Sequence, residues 1–346
     1  MNYQLFGRSG LRVSPLCLGT MTFGEDWGWG SPKAVSKQIF DAFLEAGGNF
    51  IDTADVYTEG TSENLLGEFI QAERDFIVLA TKYTLSNTTK DPNKSGNHRK
   101  NLVQSVEKSL KRLQTDYIDL LWVHAYDFLT PVDEMMRALD DLVRQGKVLY
   151  IGVSDTPAWI TSRANTMAEL KDWTAFIGSQ IEYNLTERTP ERDLLPMANE
   201  LGIGTVAWSP LAAGLLTGKY QKNKGEGSGG RMEGTSTYRF NDQNFKIVDA
   251  VVEEAKKLDT SPAQLALAWI IAKGVIPIIG ARKMNQLQEN IAAVELDIPA
   301  ETMQRLDEVS AIDLGFPHDF VLRSGAQKMI YGGMVDQIKG NRNPNL

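Results

Sequence analysis

Short apolar runs alternate along the chain with longer stretches in which apolar residues recur at helical spacing. Eight of the runs are typical of buried strands: residues 16–18, 49–51, 76–81, 118–123, 148–153, 176–180, 204–207 and 275–278. Helical periodicity fills the connections, near residues 33–46, 62–71, 99–113, 131–145, 157–171, 190–200, 262–273 and 283–293. The seventh connection holds one more predicted helix at 243–258, and another follows at 300–310.

Several predicted helices start with a hydroxyl residue followed by proline. The hydroxyl can accept a hydrogen bond from a free amide of the first turn, and proline fits there because its missing N–H costs nothing. The pattern occurs at Ser31-Pro32, Thr130-Pro131, Thr156-Pro157, Thr189-Pro190 and Ser261-Pro262. Ser261 is also followed by Gln264 at the spacing of a capping box. We expect hydroxyl caps at all of these starts.

The strand–helix repeats predict an α/β protein with a parallel sheet, because consecutive parallel strands need helical crossovers. Closed on itself, this sheet is a (β/α)8 TIM barrel, a single domain over residues 1–346. An open doubly wound sheet is the alternative. That fold favours a glycine-rich turn after the first strand, and residues 19–24 lack the G-x-G-x-x-G spacing. The barrel is therefore the predicted fold.

Four segments lie outside the repeat. Residues 3–13 read as a hairpin turning at residues 7–10, which we expect to plug the bottom of the barrel. Residues 85–98 form a polar insertion, and residues 211–240 a long loop whose glycine-rich part, 225–234, is predicted to be a mobile lid. An irregular tail is expected at 312–346.

Composition narrows the class of protein. The chain has 346 residues, of which 42% are hydrophobic and 23% charged, as in ordinary globular proteins. The net charge of −8 disfavours nucleic acid as a partner, since nucleic-acid binding relies on basic faces. Cys17 is the single cysteine, which excludes an internal disulfide and fits a reducing compartment.

No secretory signal or membrane span is expected. The most apolar region, residues 265–280, is interrupted by Lys273, Gly274 and Pro277, so it is too short and broken to cross a bilayer. These features predict a cytoplasmic protein without a membrane partner, either a monomer or a small homo-oligomer.

Four polar residues follow the apolar runs of three consecutive predicted strands. Asp52 comes directly after the second strand and Tyr57 shortly after it, Lys82 follows the third strand, and His124 the fourth. In a barrel, functional residues lie at the C-terminal ends of the strands, so these side chains are expected to meet at one corner of the mouth. Each residue alone has an ordinary structural explanation, such as a loop acceptor or a solvated charge. Their occurrence together favours a catalytic site.

The chemistry of this set is proton transfer. A tyrosine is a weak acid at pH 7, and a nearby ammonium lowers its pKa by stabilising the phenolate. A carboxylate keeps that ammonium charged, and a histidine can donate a hydrogen bond to a substrate oxygen.

The chain resembles the aldo-keto reductase superfamily from residue 3 to about residue 310. Ordered motifs carry the resemblance: Gly19-Thr20-Met21; Phe50-Ile51-Asp52-Thr53-Ala54-Asp55-Val56-Tyr57; Ala80-Thr81-Lys82; Asp116-Tyr117-Ile118-Asp119-Leu120; Trp122-Val123-His124; Gly152-Val153-Ser154; Gln180-Ile181-Glu182-Tyr183-Asn184; Trp208-Ser209-Pro210-Leu211; Gly214-Leu215-Leu216-Thr217-Gly218; and Ile279-Gly280-Ala281-Arg282 with Gln286 to Asn290. Each motif is weak alone, and the ordered set is specific. The chain is most similar to the bacterial-type branch, which has a long seventh loop that clasps the cofactor.

The resemblance implies a catalytic tetrad of Asp52, Tyr57, Lys82 and His124, with Tyr57 as the general acid. It also implies an extended NADP(H) across the barrel mouth, without a Rossmann domain. The residues that would bind this cofactor are Gly19, Thr20, Met21 and Asp52; Ser154 and Gln180 at the nicotinamide carboxamide; Trp208 on the nicotinamide ring; Ser209, Leu211, Gly214, Leu216 and Gly218 along the pyrophosphate; and Gly280, Arg282, Gln286 and Asn290 at the adenosine end. Arg282 is the expected partner of the adenosine 2′-phosphate. Asp155, where many relatives have Asn, is left out because an ionised carboxylate cannot donate a hydrogen bond.

The loops also supply aromatic residues for a substrate pocket: Phe23, Trp27, Trp29, Tyr126 and Phe128. They suggest an apolar, aromatic or bulky carbonyl substrate. Trp27 and Trp29 are equally compatible with surface packing.

The leading hypothesis is an NADPH-dependent reductase of aldehydes or ketones that also oxidises the alcohol. One alternative is a lyase that uses Lys82 as a Schiff base, although Asp52 would keep that lysine charged. Another is an NADP(H)-binding regulatory subunit with little turnover. No metal is expected, because His98, His124 and His318 have no metal-ligand spacing.

Overall fold

A computed structural model of the chain describes residues 1–87, 90–220 and 239–338. Its centre is a closed barrel of eight parallel strands. In chain order these are β3 (Cys17–Gly19), β4 (Phe50–Asp52), β5 (Val78–Tyr83), β6 (Ile118–Val123), β7 (Val148–Ser154), β8 (Phe176–Glu182), β9 (Gly204–Trp208) and β10 (Ile276–Ile279). Strand β10 pairs with β9 on one side and with β3 on the other, which closes the sheet and confirms the predicted (β/α)8 barrel.

Helices follow each barrel strand and cover the outside of the sheet. They are α1 (Lys33–Glu45), α2 (Thr61–Phe69), α3 (Arg99–Leu113), α4 (Val132–Arg144), α5 (Ala158–Lys171), α6 (Leu194–Leu201), α7 (Asp242–Lys257), α8 (Pro262–Ala272), α9 (Met284–Ala292) and α10 (Ala300–Val309). Buried apolar residues of these helices pack on the outward face of the strands, where they exclude water from the backbone of the sheet. The predicted extra helix of the seventh connection is α7.

The bottom of the barrel is closed by a two-stranded hairpin, β1 (Gln4–Leu5) and β2 (Arg12–Val13), as the sequence predicts. Phe6 of the hairpin inserts among the strands and packs edge-on against Trp122 of β6, with ring centroids 6.4 Å apart. A Cβ on Gly178 would lie 2.7 Å from the Phe6 ring, and one on Gly204 would lie equally close. Glycine at these positions therefore makes room for the two aromatic side chains that fill the lower barrel.

The helix starts differ in part from the prediction. Ser261 caps α8, and its capping box with Gln264 is present. At the starts of α1, α4 and α5 the residue before the first helical residue is the proline itself, and no side chain caps the helix. Because proline there is still extended, the preceding hydroxyl lies one residue too early to cap. Thr189 begins a short 3-10 turn, Thr189–Glu191, without a side-chain cap.

The segment after α10 also differs from the expected irregular tail. It contains two short helices, α11 (His318–Val321) and α12 (Ser324–Ile330), within the part of the tail that the structure describes. The predicted lid at 225–234 lies outside the described residues. No helix of the described ranges is long and apolar enough to cross a bilayer.

Candidate active site

Strand ends bring the predicted catalytic residues to one corner of the barrel mouth. Asp52 is the last residue of β4, Lys82 lies near the end of β5, and His124 directly follows β6. The backbone N–H of His124 donates to the carbonyl of Tyr83 at 3.0 Å, which continues the sheet pairing beyond the strand. Tyr57 begins a tight turn after β4, where the next two residues have left-handed backbone conformations.

Lys82 is the centre of this group. Its Nζ donates to the Tyr57 hydroxyl at 3.0 Å and to the carbonyl of Thr53 at 2.8 Å, and it forms an ion pair with Asp52. The second carboxylate oxygen of Asp52 accepts a hydrogen bond from Nε2 of Gln180 at 2.9 Å. Asp52 is thus held on both oxygens and serves to fix the ammonium beneath the tyrosine.

The electrostatics of the site set two protonation states. Burial alone would lower the pKa of Lys82, but Asp52 and Tyr57 raise it above its ordinary value, so the side chain stays an ammonium. A charged Lys82 cannot form a Schiff base, which argues against the lyase alternative. Burial, with a smaller effect of Lys82, lowers the pKa of His124 to about 3, so this imidazole is neutral at pH 7.

The predicted pocket residues divide into three groups. The rings of Trp27 and Tyr57 meet edge-on at 6.5 Å, and Trp29 packs on Trp27 at 5.5 Å, so this tryptophan pair walls the catalytic corner.

Phe23 has no exposed surface and packs against Phe69 in the core, which corrects its assignment to the pocket. The chain after β3 folds back there, because Gly24 N–H donates to the carbonyl of Ser31.

Tyr126 and Phe128 lie in the loop after β6. Their rings meet edge-on at 5.2 Å, and the Tyr126 hydroxyl donates to the carbonyl of Thr130 at 2.9 Å. Phe128 is 67% exposed. Their contact with substrate stays a prediction.

Ser154 and Trp208 are the last residues of β7 and β9, and Gln180 lies two residues before the end of β8. Asp155 follows Ser154, and its Oδ1 accepts a hydrogen bond from Nε1 of Trp208 at 3.0 Å. The predicted site omits Asp155, because an ionised carboxylate cannot donate a hydrogen bond. A carboxylate next to an indole N–H is an acceptor, and the pairing of β7 and β9 with β8 brings the two side chains together.

The loop after β9 is a tight turn with several left-handed residues. Ser209, Ala212, Ala213, Gly214 and Gly218 all have positive φ, between 49° and 95°. The loop bonds to itself: the amides of Ala212 and Ala213 donate to Ser209, and that of Gly214 donates to the carbonyl of Leu211. Leu211 and Leu216 pack in the apolar core beneath it and anchor the loop.

Two cations flank this loop. Arg282 follows β10, and Lys219 follows the loop, with its Nζ 3.2 Å from the position that a Cβ on Gly214 would occupy. Burial and the charge of Arg282 both lower the pKa of Lys219. No carboxylate pairs with either cation in the described ranges. Cations held together without an anion fit the phosphates of a dinucleotide, and Lys219 is a binding candidate that the sequence reasoning missed.

The other predicted cofactor residues mainly shape the strand ends. Oε1 of Gln286 accepts from the Arg282 amide at 2.9 Å, and the side chain of Asn290 donates to the carbonyl of Gly280 at 3.3 Å.

Thr20 is buried and donates to the carbonyl of Asp52 at 3.0 Å. A Cβ on Gly19 would lie 2.6 Å from a methyl group of Ile278. Met21, next to Thr20, is partly buried. Their contact with a cofactor stays a prediction.

Residues 1–87, 90–220 and 239–338 hold no cluster of three His, Cys, Asp or Glu side chains that suits a metal ion.

Comparisons with known proteins agree with this geometry. A model of the Aldo/keto reductase family matches residues 15–311. Norsolorinic acid reductase of Aspergillus flavus is 40% identical over 335 residues, which cover 93% of this chain and 84% of that protein. An NADP(+) aryl-alcohol dehydrogenase of Phanerodontia chrysosporium is 38% identical over 335 residues, 91% of this chain and 87% of that protein. These relatives are fungal, so membership of a bacterial-type branch stays a prediction.

Proposed function

Because the chain belongs to the aldo/keto reductase family, we propose that it is an NADPH-dependent reductase of aldehydes or ketones that also oxidises the alcohol. The proposal includes the carbonyl or alcohol as a small-molecule partner and NADP(H) as the cofactor. The observation that carries it is the hydrogen bond of 3.0 Å between the Lys82 ammonium and the Tyr57 hydroxyl.

In this proposal Tyr57 is the general acid. NADPH supplies a hydride to the carbonyl carbon when bound, and the carbonyl oxygen needs a proton to become a hydroxyl. Tyr57 gives that proton, and the phenolate left behind is stabilised by Lys82. Asp52 keeps Lys82 charged and in place, so the carboxylate acts one step away from the reacting atoms. Alcohol oxidation returns the proton to Tyr57.

His124 orients the carbonyl oxygen. Its ring lies edge-on to Tyr57, with centroids 6.0 Å apart, so both side chains face the same space. With a pKa of about 3 it is not an imidazolium at pH 7 and so cannot be the general acid, which leaves Tyr57 in that role. A neutral imidazole still has one N–H, and that N–H can donate to the substrate oxygen and polarise the carbonyl.

The residues present fit the proposed cofactor. The cations Lys219 and Arg282, beside the loop 209–218, would hold its phosphates. Trp208 and Ser154, across the mouth from Tyr57, would hold the nicotinamide. In this arrangement the residues that would hold the hydride donor come from the ends of β7 and β9, and the proton donor Tyr57 follows β4.

We further propose an aromatic carbonyl as the substrate class. The name of one relative specifies aryl alcohols, and the Trp27–Trp29 pair beside Tyr57 offers flat apolar faces for an aromatic ring.

The test is a panel of aliphatic and aryl aldehydes and ketones assayed by loss of NADPH absorbance. We expect turnover, with aryl aldehydes converted at the highest kcat/KM. Tight NADPH binding without turnover of any carbonyl would contradict the proposal and support a regulatory subunit instead.

A further inference from the structure

Asp155 and Trp208 are joined across the barrel mouth. Asp155 follows β7 with φ of 42°, a conformation that turns its side chain at the strand end, and Trp208 is the last residue of β9. The hydrogen bond of 3.0 Å between them spans the end of β8. It fixes one carboxylate at the edge of the indole ring.

Two other charged groups at these strand ends, Lys82 and Glu182, have ion-pair partners. Lys82 is paired with Asp52, and Arg239 with Glu182 at the end of β8. The partner of Asp155 is a neutral indole N–H. Within the described part of the chain, the carboxylate of Asp155 is therefore not neutralised by an ion pair.

The loop after β6 contains two further titratable groups, His124 and Asp127. His124 is neutral. Asp127 accepts hydrogen bonds from the amide of Asn97, in the segment before α3, and from that of Thr130 in its own loop. For Asp155, burial raises the pKa, and the Trp208 hydrogen bond and the charge of Lys82 oppose that rise.

We propose that Asp155 determines the preference for cofactor oxidation state, because its carboxylate favours binding of NADP+ over NADPH. This inference rests on the proposed function. The nicotinamide of NADP+ carries one positive charge that NADPH lacks, since a hydride has left with its electron pair. A nicotinamide ring that transfers hydride to a carbonyl bound at Tyr57 would have to face that tyrosine. Trp208 offers the nicotinamide a flat surface there. A nicotinamide held on Trp208 would then have the Asp155 carboxylate close to its charge.

The test uses D155N in the full-length chain. Asn keeps an oxygen that accepts the Trp208 N–H, so the substitution removes the charge and retains the hydrogen bond. Dissociation constants for NADP+ and NADPH are measured by titration calorimetry without substrate. We expect the ratio of the NADP+ to the NADPH constant to rise about three- to tenfold, the effect of one charge at close range in a partly solvated site. A tenfold change corresponds to about 30 mV in the potential of the bound two-electron couple.

The matched control is D172N. Asp172 has the same left-handed backbone, with φ of 51°, but ends α5 at the opposite face of the barrel. It should leave the ratio unchanged. W208F keeps an aromatic ring and removes the N–H, so it should give a ratio between those of wild type and D155N. Added salt should bring the wild-type ratio toward that of D155N, because it screens the carboxylate.

The outcomes separate the two proposals. An unchanged ratio in D155N, or an equal shift in D172N, overturns the role of Asp155 and leaves the reductase proposal standing. Failure of the wild-type chain to bind either cofactor overturns both.

Discussion

The Lys82 ammonium lies 3.0 Å from the Tyr57 hydroxyl and is paired on its other side with Asp52. Both members of the ion pair are almost completely buried, with side chains 0% and 2% exposed. Water therefore screens the charge of the Lys82 ammonium only weakly, and the ammonium can lower the pKa of the neighbouring Tyr57 hydroxyl. The buried pair thus supplies the electrostatic setting in which a tyrosine can act as an acid at neutral pH.

The first prediction concerns Tyr57→Phe. Phe keeps the ring that packs on Trp27 and His124 but has no proton to give. We expect carbonyl reduction to fall by about 10²–10⁴-fold while the NADPH dissociation constant stays within about twofold. Tyr117→Phe, on a tyrosine that stacks on Arg74 before β6, is the control and should keep full turnover. Turnover like wild type in Tyr57→Phe would refute the acid assignment.

The second prediction separates stability from chemistry in the buried ion pair. Lys82→Met leaves Asp52 charged and buried, so we expect the free energy of unfolding to fall by about 3–5 kcal/mol. Adding Asp52→Asn removes the unpaired buried carboxylate, so the double variant should recover most of the lost free energy of unfolding. Activity should stay low in both variants, because neither has an ammonium beside Tyr57. Urea unfolding and steady-state assays check this, and equal stability of the single and double variants would contradict it.

The third prediction concerns Arg282 and the adenosine 2′-phosphate, the group that distinguishes NADPH from NADH. Arg282→Ala should weaken NADPH binding by about 1.5–3 kcal/mol, the range for hydrogen bonds to charged groups, and barely change NADH binding. Lys283→Ala, one residue further along, is the control. Titration of each variant with NADPH and with NADH gives the two dissociation constants. An equal loss of affinity for both cofactors, or no loss for either, would show that Arg282 does not discriminate between them.

The fourth prediction concerns pH and His124. Its pKa of about 3 in the folded chain lies below the ordinary value of 6.5, so the unfolded chain binds the proton more readily. The stability contribution is complete above pH 6.5 and is lost as pH falls toward 3. Between pH 7 and pH 5 this effect lowers the free energy of unfolding of the wild type by about 2 kcal/mol. We expect His124→Gln to lack this part of the pH dependence.

Urea unfolding at pH 7, 6 and 5 measures this difference, with His318→Gln in the tail as the control. The same pH dependence in wild type and His124→Gln would show that the imidazole is not held neutral by the fold.

The barrel and its catalytic corner follow from local pattern. Apolar runs of strand length locate the sheet, and closure of a parallel sheet places the ends of consecutive strands side by side. Asp52, Lys82 and His124 each follow such a run, so their proximity needs no knowledge of side-chain packing.

Contacts between distant loops do not follow from pattern. Lys219 approaches Arg282 only because the loop after β9 bends back through left-handed residues. Phe23 looks like a pocket aromatic from its place after β3, but the return of the chain at Ser31 turns it into the core. The position of a loop side chain depends on such long-range returns, which leave no periodic trace in the sequence.

Phe6, at the bottom of the barrel, also sets an order of events in folding. Its packing partners Trp122, Gly178 and Gly204 follow much later in the chain. Contacts between distant segments form late, because the intervening chain must first lose its freedom. A chain emerging from the ribosome therefore keeps an open barrel floor until β9 has been made. Phe6 therefore reaches its packed position only after most of the barrel has formed.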